Sequence, residues 1–246
     1  MRAIAGVKHL RLVLVSNVYL LEGGAGDRFL VDTGHWSERA TLLLELRRHG
    51  LSPSDLTGVL LTHRHSDHAG NARFLQRRFG VRIFAHRHDA EVLAGLAPRE
   101  KLVRGEGSRL AGFIAEFENR WPARVAVDRA LDDGDTIAGL EVHWIPGHTE
   151  GSVFYRHAST RSLLTGDSLL TAVPPLVVRR GFALPYVTFT KDLPQAIESV
   201  RAFHRRGIEY DNLLAGHGPP LVGGARRAAL EFLEKTPTEA SRPTSR

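Results

Sequence analysis

One short stretch, Thr62–Gly70, constrains this chain more than any other feature. It follows an apolar run and brings together three histidines and an aspartate: His63, His65, Asp67 and His68. Successive side chains of an extended strand alternate between its faces, so His63 and His65 are expected to point the same way. Asp67 and His68 are neighbours and converge only if the backbone turns, which the following glycine favours. Because imidazole and carboxylate groups bind zinc and similar metals, and burying them without a metal would be costly, the stretch predicts a metal site.

The composition is ordinary for a soluble globular protein, with 42% hydrophobic and 24% charged residues among 246. There is no apolar run long enough to span a membrane, and the first residues lack the apolar core of a signal peptide, so we expect a cytoplasmic protein. The absence of cysteine excludes disulfides, thiolate ligands and a cysteine nucleophile. Any metal must therefore be held by nitrogen and oxygen atoms.

The net charge of +6 raises the question of a nucleic-acid partner. The arginines are spread along the chain in ones and twos, without a basic tail or an aromatic-interleaved basic patch. We therefore expect a small-molecule substrate, with an anionic one as an option, and neither a membrane nor a nucleic acid as partner. The oligomeric state is not constrained by the sequence.

The order of predicted elements divides the chain into two similar halves, each a meander followed by strand–helix units. The first half is expected to contain strands at 10–15, 18–21 and 28–32, a helix capped by Ser37, a strand at 57–62, a helix at 71–79 and a strand at 81–85. Less regular helical patterns follow near 90–96 and 110–117. The second half is expected to contain strands at 136–145, 152–156 and 162–165, a helix capped by Asp192, a strand at 212–215 and a helix at 224–235.

No linker separates the halves, so we expect one domain over residues 1–235 and a disordered tail at 236–246. Two such halves pack most simply as two sheets face to face with helices outside. The expected class is therefore α/β, with two layers of strands between two layers of helices.

Three further motifs place a glycine-flanked polar residue after an apolar strand: Gly147-His148-Thr149, Gly166-Asp167 and Gly216-His217-Gly218. Glycine allows a sharp turn, so the polar side chain can project from the edge of a sheet. Each motif alone would more often be an ordinary loop residue. Together with the first stretch they supply seven candidate ligands, which is hard to explain without a metal.

This combination resembles the metallo-β-lactamase superfamily, in particular its glyoxalase II-like hydrolases. The resemblance rests on His-x-His-x-Asp-His at 63–68, on the three glycine motifs, and on Asn17–Leu20 and Val31–Gly34. It covers roughly residues 7–235. The fold that it implies is a four-layer αβ/βα sandwich with two mixed sheets.

The resemblance also implies roles for the candidate ligands. One metal ion would be bound by His63, His65 and His148, and a second by Asp67, His68 and His217, with Asp167 bridging the two. The ions are expected to be two divalent cations, zinc first, with manganese or iron as alternatives. A hydroxide shared by the ions would attack an ester, thioester or lactone, and Asp67 would help to orient or deprotonate the water. Asp32 is expected to accept a hydrogen bond from a ligand imidazole, unless it only forms the turn at its strand end.

The resemblance implies that residues facing the substrate fall within 168–190, although each candidate there fits the core or the surface equally well. Tyr186 is a candidate donor to a developing oxyanion, and Arg179 and Arg180 are candidate anion contacts. Candidate apolar lining residues are Val173, Leu176, Phe182 and Phe189. Among the other histidines, His35 is the one expected near the site. The run His86-Arg87-His88-Asp89 imitates the first motif without its Asp-His pair, and we interpret it as surface or as support for the ligands.

Several functions remain open at this point. In the family that the chain resembles, true β-lactamases tend to carry cysteine or serine where Asp167 stands. The aspartate at this position and the absence of cysteine therefore favour the thioesterase, lactonase and phosphodiesterase branches. The alternatives are a mononuclear iron persulfide dioxygenase, a nuclease, and a non-catalytic binding protein on the same scaffold. The chain is short for a nuclease of this superfamily, and a complete ligand set would have no purpose in a binding protein. The natural substrate is not determined by the sequence.

Overall fold

Two mixed six-stranded sheets form the centre of the computed structural model, which describes residues 4–10, 12, 16–23, 26–102, 109–172 and 180–237, with only the backbone at position 180. The first sheet contains, in spatial order, β1 (Val7–Leu10), β2 (Val18–Glu22), β3 (Arg28–Val31), β4 (Gly58–Leu60), β5 (Arg82–His86) and β6 (Arg129–Leu131). Strands β1 to β3 form an antiparallel meander, and β3 to β6 run parallel.

The second sheet repeats this plan with one parallel pair. Its strands, in chain order, are β7 (Thr136–Ile137), β8 (Leu140–Trp144), β9 (Val153–His157), β10 (Ser162–Gly166), β13 (Asn212–Ala215) and β14 (Leu221–Val222), interrupted by a separate hairpin of β11 (Leu170–Ala172) and β12 (Arg180–Ala183). The spatial order is β14-β13-β10-β9-β8-β7, and only the β10–β13 pair among these described strands is parallel.

The helices are α1 (Arg39–Arg48), α2 (Ser66–Ala69), α3 (Ala72–Phe79), α4 (Arg87–Ala94), α5 (Arg109–Arg120), α6 (Leu193–Arg205) and α7 (Ala225–Lys235). Asp192 caps α6 through a hydrogen bond from the backbone N–H of Gln195, as predicted. No helix in the described part of the chain is long and apolar enough to cross a membrane.

Period-two alternation along the strands builds the layers. On β2, Tyr19 and Leu21 pack into the core between the two sheets, whereas Leu20 packs into the core beneath α1, α3 and α4. On β9, Tyr155 faces the first sheet and Phe154 packs with α6 and α7. Each sheet is therefore buried on both faces, and the predicted four-layer αβ/βα sandwich is confirmed.

Three local predictions were wrong. Ser37 does not cap a helix, because His35 caps a 3-10 turn at Trp36–Glu38 and α1 begins only at Arg39. The first strand lies at Val7–Leu10 instead of 10–15, because it pairs with β2 in that register, and most of 11–15 lies outside the described residues. Helix α4 begins at Arg87, immediately after β5, and so starts earlier than its apolar pattern indicates.

Of the predicted tail, only residues 236 and 237 are described, and 238–246 lies outside the described residues. The prediction of one domain over 1–235 stays a prediction.

Strand direction brings the candidate residues to one edge of the molecule. Asp32 follows the end of β3, and the stretch from Thr62 follows the end of the parallel neighbour β4. Asp167 and His217 follow the ends of the parallel pair β10 and β13, and His148 follows the end of β8. Carboxyl ends of parallel strands share an edge, which is where open α/β sheets bind ligands.

Candidate metal centre

Two groups of metal-ligating side chains lie at this edge. The first consists of His63, His65 and His148, and the second of Asp67, His68, Asp167 and His217. Within each group the potential ligand atoms lie within 4.8 Å of one another. All seven residues that the sequence singled out as ligands are thus brought together in two groups of the predicted composition.

Asp167 lies between the two groups. Its Oδ1 is 3.2 Å from His68 Nε2 and its Oδ2 is 3.2 Å from His217 Nε2, both in the second group. The same Oδ2 is 3.7 Å from His148 Nε2 in the first group. One carboxylate therefore touches both groups, which is the arrangement that a bridging ligand requires.

The two groups differ in charge. Burial, reinforced by neighbouring imidazoles, lowers the pKa of His63 and His65 well below the usual value, and burial lowers the pKa of His148 to about 4. Neutral imidazoles present lone pairs to a cation. In the second group burial opposes charge on the histidines, but the surrounding carboxylates outweigh it and raise the pKa of His217 to about 10. The carboxylates of the second group therefore favour positive charge at this position, whether protons on the imidazoles or a bound cation supply it.

The donor set fits metal ions on geometric grounds as well. His63 Nε2 and His148 Nε2 are 3.3 Å apart, close to the separation of roughly 3.3–3.4 Å between two nitrogens bound to one tetrahedral zinc. His68 Nε2 and Asp167 Oδ1 are buried and lack a hydrogen-bond partner among the described residues, although they face each other. Such orphaned buried atoms are expensive unless they bind something.

Asp32 supports ligands in both groups. Its Oδ2 accepts a hydrogen bond of 2.8 Å from His68 Nδ1, which leaves Nε2 of that ring to face the second group. The same Oδ2 accepts a 2.8 Å hydrogen bond from Thr62 Oγ1, which lies 3.1 Å from His63 Nδ1. Since the threonine hydroxyl proton is given to Asp32, His63 Nδ1–H must be the donor to Thr62. One buried carboxylate thus orients a histidine of each group.

Asp89 supports the ligands, which is one of the two roles that the sequence left open for the run 86–89. It is fully buried and accepts hydrogen bonds from the backbone N–H and the guanidinium of Arg64, from Thr149 Oγ1 and from the backbone N–H of Gly151. Arg64 separates two first-group histidines, and Thr149 follows the third. A single carboxylate therefore joins the two loops that carry the first group.

Of the run His86-Arg87-His88-Asp89, only the aspartate contacts the segments that carry the candidate ligands. His86 is buried and stacks on Trp144 at 5.4 Å between ring centroids, and His88 lies 5.5 Å from the same indole. Neither histidine belongs to a candidate metal group among the described residues. A useful signal was present in Asp89 itself, an acid in the first turn of a helix directly after a parallel strand.

A cavity of about 250 Å³ opens above the two groups. Ligand residues of both groups form its floor, and α5 forms one wall through Phe113, Ile114 and Phe117. Leu170, Tyr186 and Phe189 line it from the second half of the chain, and His35, Glu118 and Ser66 complete the lining. The site is therefore a mostly apolar pocket with its polar groups concentrated at the floor.

Helix α5 is fixed to the site by Glu118. Its carboxylate accepts hydrogen bonds from the backbone N–H and the hydroxyl of Ser66, and it forms a buried ion pair with Arg99. Ser66 lies between His65 and Asp67, so the apolar wall is attached directly to the ligand segment. The sequence predicts no role for residues 89–125, and this contact shows that α5 holds the ligand segment in place.

Some predicted substrate-facing residues lie elsewhere. Tyr186, Phe189 and His35 line the pocket as predicted. Phe182 does not, because its ring stacks on Phe232 of α7 at 5.6 Å and packs against the outer core of the second sheet. Val173, Leu176 and Arg179 lie outside the described residues, as does the side chain of Arg180.

A sequence profile of the metallo-beta-lactamase superfamily matches residues 11–218, which is most of the chain. The chain belongs to this superfamily. The matched region contains all seven candidate ligands and ends at the glycine that follows His217.

Relatives within the metallo-beta-lactamase superfamily span most of this chain. "Probable metallo-hydrolase YflN" of Bacillus subtilis (strain 168) is 26% identical over 240 residues, which cover 92% of this chain and 89% of that protein. The hydroxyacylglutathione hydrolase of Ectopseudomonas mendocina (strain ymp) is 32% identical over 157 residues, covering 62% of this chain and 46% of that protein. Among solved structures, a metallo-beta-lactamase family protein from Thermus thermophilus, TTHA1429, is 28% identical, with a TM-score of 0.65 over 93% of this chain and 78% of that chain.

Exchange of Asp89 for asparagine is expected to destabilise this metallo-beta-lactamase-fold chain by about 3 kcal/mol, because it leaves the buried guanidinium of Arg64 without its carboxylate. Urea unfolding, followed by circular dichroism, measures the change. Asp132→Asn is the matched control, since its ion pair with Arg87 is exposed and its loss should leave stability unchanged. Equal stability of the two variants would contradict a bracing role for Asp89.

Proposed function

We propose that this chain is a dinuclear metal-dependent hydrolase that cleaves an ester, thioester or lactone bond. The observation that carries the proposal is the position of Asp167, whose carboxylate reaches both groups of ligands at the floor of one pocket. The family membership and the relatives named as metallo-hydrolases support a hydrolytic reaction.

In this proposal His63, His65 and His148 hold one divalent ion, and Asp67, His68 and His217 hold the other, with Asp167 shared. Zinc is the ion that we propose, because every ligand is an imidazole or a carboxylate. Two such ions would supply Lewis acidity for the scissile carbonyl and would lower the pKa of a bound water molecule towards about 7.

Asp67 is the residue that we assign to hold the proton of the attacking water. Its side chain is 24% exposed, whereas that of Asp167 is 11% exposed, so Asp67 is the acid that the pocket reaches more easily. Burial acts to raise its pKa, but the nearby His68 and His217 outweigh this and lower it, which keeps the group a carboxylate able to accept a hydrogen bond.

The pocket walls support an apolar acyl group or lactone ring as the part of the substrate nearest the scissile bond. Phe113, Phe117 and Phe189 offer ring surface, and Tyr186 offers a phenol that we propose as donor to the developing oxyanion. The described lining contains neither lysine nor arginine. This composition favours an uncharged group at the end of the substrate that reacts. The anionic substrate that the net charge allows is therefore not favoured at this end of the pocket.

Metal analysis combined with a substrate screen tests the proposal. Protein purified without added metal is analysed for zinc, manganese and iron, and is assayed against short and long acyl esters, thioesters and lactones. We expect about two ions per chain and hydrolysis of at least one class. Chelation with EDTA should remove both the ions and the activity, and one added ion type should restore them.

Two results would contradict the hydrolase. One iron per chain with oxygen uptake and no hydrolysis would indicate the dioxygenase alternative. Hydrolysis that survives complete removal of metal would show that the two ligand groups are not the reaction centre.

A further inference from the structure

A second concave surface borders the metal pocket. It is a groove of about 450 Å³ on the outer side of α2 and α3. We call it the arginine groove, because its lining includes five arginines and three large aromatic residues: Arg39, Arg73, Arg77, Arg78, Arg124, Trp36, Phe74 and Trp121. Ser66 lines both this groove and the metal pocket.

The charge of the arginine groove is not neutralised within the described residues. No acidic residue belongs to its described lining, and none of its five arginines lies within 4.0 Å of a described carboxylate. Two of the five are used structurally: Arg39 lies over the ring of Phe74 at 4.3 Å, and Arg124 donates to the carbonyl of Val92. Arg73, Arg77 and Arg78 are exposed and make no such contact with the part of the chain that the structure describes.

One of the three arginines on α3, Arg73, has a position that is unfavourable for the helix alone. Arg77 and Arg78 lie in its last turn, where a cation interacts well with the helix dipole. Arg73 lies in the first turn, where a cation is repelled, and it is four residues from Arg77, so the two like charges share one face. No described contact compensates for the electrostatic repulsion of Arg73 by the helix dipole and by Arg77, whereas a bound anion would offset it.

Two exposed tryptophans give the groove a second kind of binding surface. Trp36 is 47% exposed and Trp121 is 56% exposed, which is unusual for such large apolar side chains. Both pack on Phe117, at 6.5 Å and 4.6 Å between ring centroids, and Phe117 is part of the wall of the metal pocket. The aromatic cluster is therefore shared by the two cavities.

We infer that the arginine groove binds a nucleotide, with phosphate groups at Arg73 and Arg77 and the base stacked on Trp36 or Trp121. Guanidinium groups recognise phosphate, and indole rings stack on bases. Because Ser66 lines both cavities and the aromatic cluster lies between them, the nucleotide would belong to the leaving group of a thioester substrate. Hydrolysis would replace the acyl C–S bond with a C–O bond from water, and the nucleotide-bearing thiol would leave with a proton. This last step rests on the proposed function, whereas nucleotide binding does not.

Binding of ADP tests the groove without any reaction. Titration of the purified protein with ADP, followed by calorimetry and by quenching of tryptophan fluorescence, should give saturable binding. The double variant Arg73→Gln/Arg77→Gln should weaken ADP binding at least tenfold. The double variant Arg205→Gln/Arg227→Gln, with the same change of net charge on α6 and α7, should retain wild-type affinity. Pyrophosphate should bind at least tenfold more weakly than ADP, because it lacks the stacking base.

Each contrary outcome overturns the inference. Unchanged ADP affinity in the Arg73→Gln/Arg77→Gln variant would show that the phosphates do not bind at these two arginines. Equal affinity for pyrophosphate and ADP would show that the base does not stack on a tryptophan. A single-stranded decanucleotide that binds a hundredfold more tightly than ADP would show that the surface serves nucleic acid instead. Ester hydrolysis with no ADP binding would contradict nucleotide binding in the arginine groove but would leave the proposed hydrolase function supported.

Discussion

Replacement of Asp167 by asparagine is expected to lower hydrolytic turnover by at least about a thousandfold, a loss of roughly 4 kcal/mol of transition-state stabilisation. Asp167 contacts His68 and His217 in one group and His148 in the other. The amide keeps the shape of the carboxylate but removes its negative charge and turns an NH2 group towards one ion. We therefore expect the metal content to fall from about two ions per chain to one or fewer.

The asparagine variant should nevertheless fold. Asp167 follows β10 at the sheet edge, and the buried residues of that strand are unchanged by the substitution. The site around Asp167 is tightly packed: a Cβ added at the neighbouring Gly216 would lie only 2.7 Å from His68 Cε1. A larger side chain at position 167 would therefore not fit, and asparagine, which has the same size as aspartate, is the appropriate substitution. Atomic absorption and steady-state kinetics give the two readouts, and circular dichroism checks the fold.

Asp211→Asn is the matched control for Asp167→Asn. Asp211 is also an aspartate directly beside a strand of the second sheet, but it is exposed and pairs with Arg161. It should keep full activity and both ions. A folded Asp167→Asn protein with wild-type turnover would rule out the dinuclear assignment, whatever the activity of the control.

The candidate ligands could be singled out from sequence because each is indicated by its local sequence. The residues 63–68 follow an apolar strand within one short motif, and Asp167 and His217 stand next to glycines at strand ends. Only strand direction was then needed to bring them to one edge. The turn expected at Asp67 and His68 is the helical turn α2, and both side chains belong to the second group.

The supporting residues could not be predicted in the same way, because their roles depend on contacts between distant segments. Asp89 meets Arg64 and Thr149, which lie 25 and 60 positions away along the chain. Glu118 meets Ser66 at a separation of 52 positions. The periodicity of α4 and α5 does not distinguish these buried acids from solvated ones. The position of Asp89 after a parallel strand is a signal, but the partners of both acids are revealed only by the packed structure.

The prediction that Ser37 caps the first helix was wrong for a physical reason. Ser37 is a good capping residue by type, but its hydroxyl lies 2.7 Å from His35 Nδ1, and the imidazole accepts from the Ser37 backbone N–H instead. The chain here must pass the buried Thr33, which accepts a hydrogen bond from the N–H of Asn71 and donates one to the carbonyl of His68. Fixing the ligand segment thus takes precedence over local helix propensity.

Replacement of Asp32 by asparagine is expected to lower the affinity for both metal ions by ten- to a hundredfold, with a parallel loss of activity. Asp32 faces three donors: the Thr62 backbone N–H, the Thr62 hydroxyl and His68 Nδ1. An asparagine has one carbonyl oxygen, so its NH2 group must face at least one of them. The backbone should be retained, because Asp32 has φ of 62° and asparagine tolerates this left-handed conformation well.

Thr62→Val separates the two branches of this network. It removes the hydroxyl between Asp32 and His63 but leaves the direct Asp32–His68 hydrogen bond in place. Competition with a chromophoric chelator should therefore show one weakened ion in Thr62→Val and two in Asp32→Asn. If Asp32→Asn weakened only one ion, or if Thr62→Val matched it, Asp32 would not support both groups. A common carboxylate explains why both halves of the site should fail together, since it lies at the end of β3 and beside the strand that delivers the first ligands.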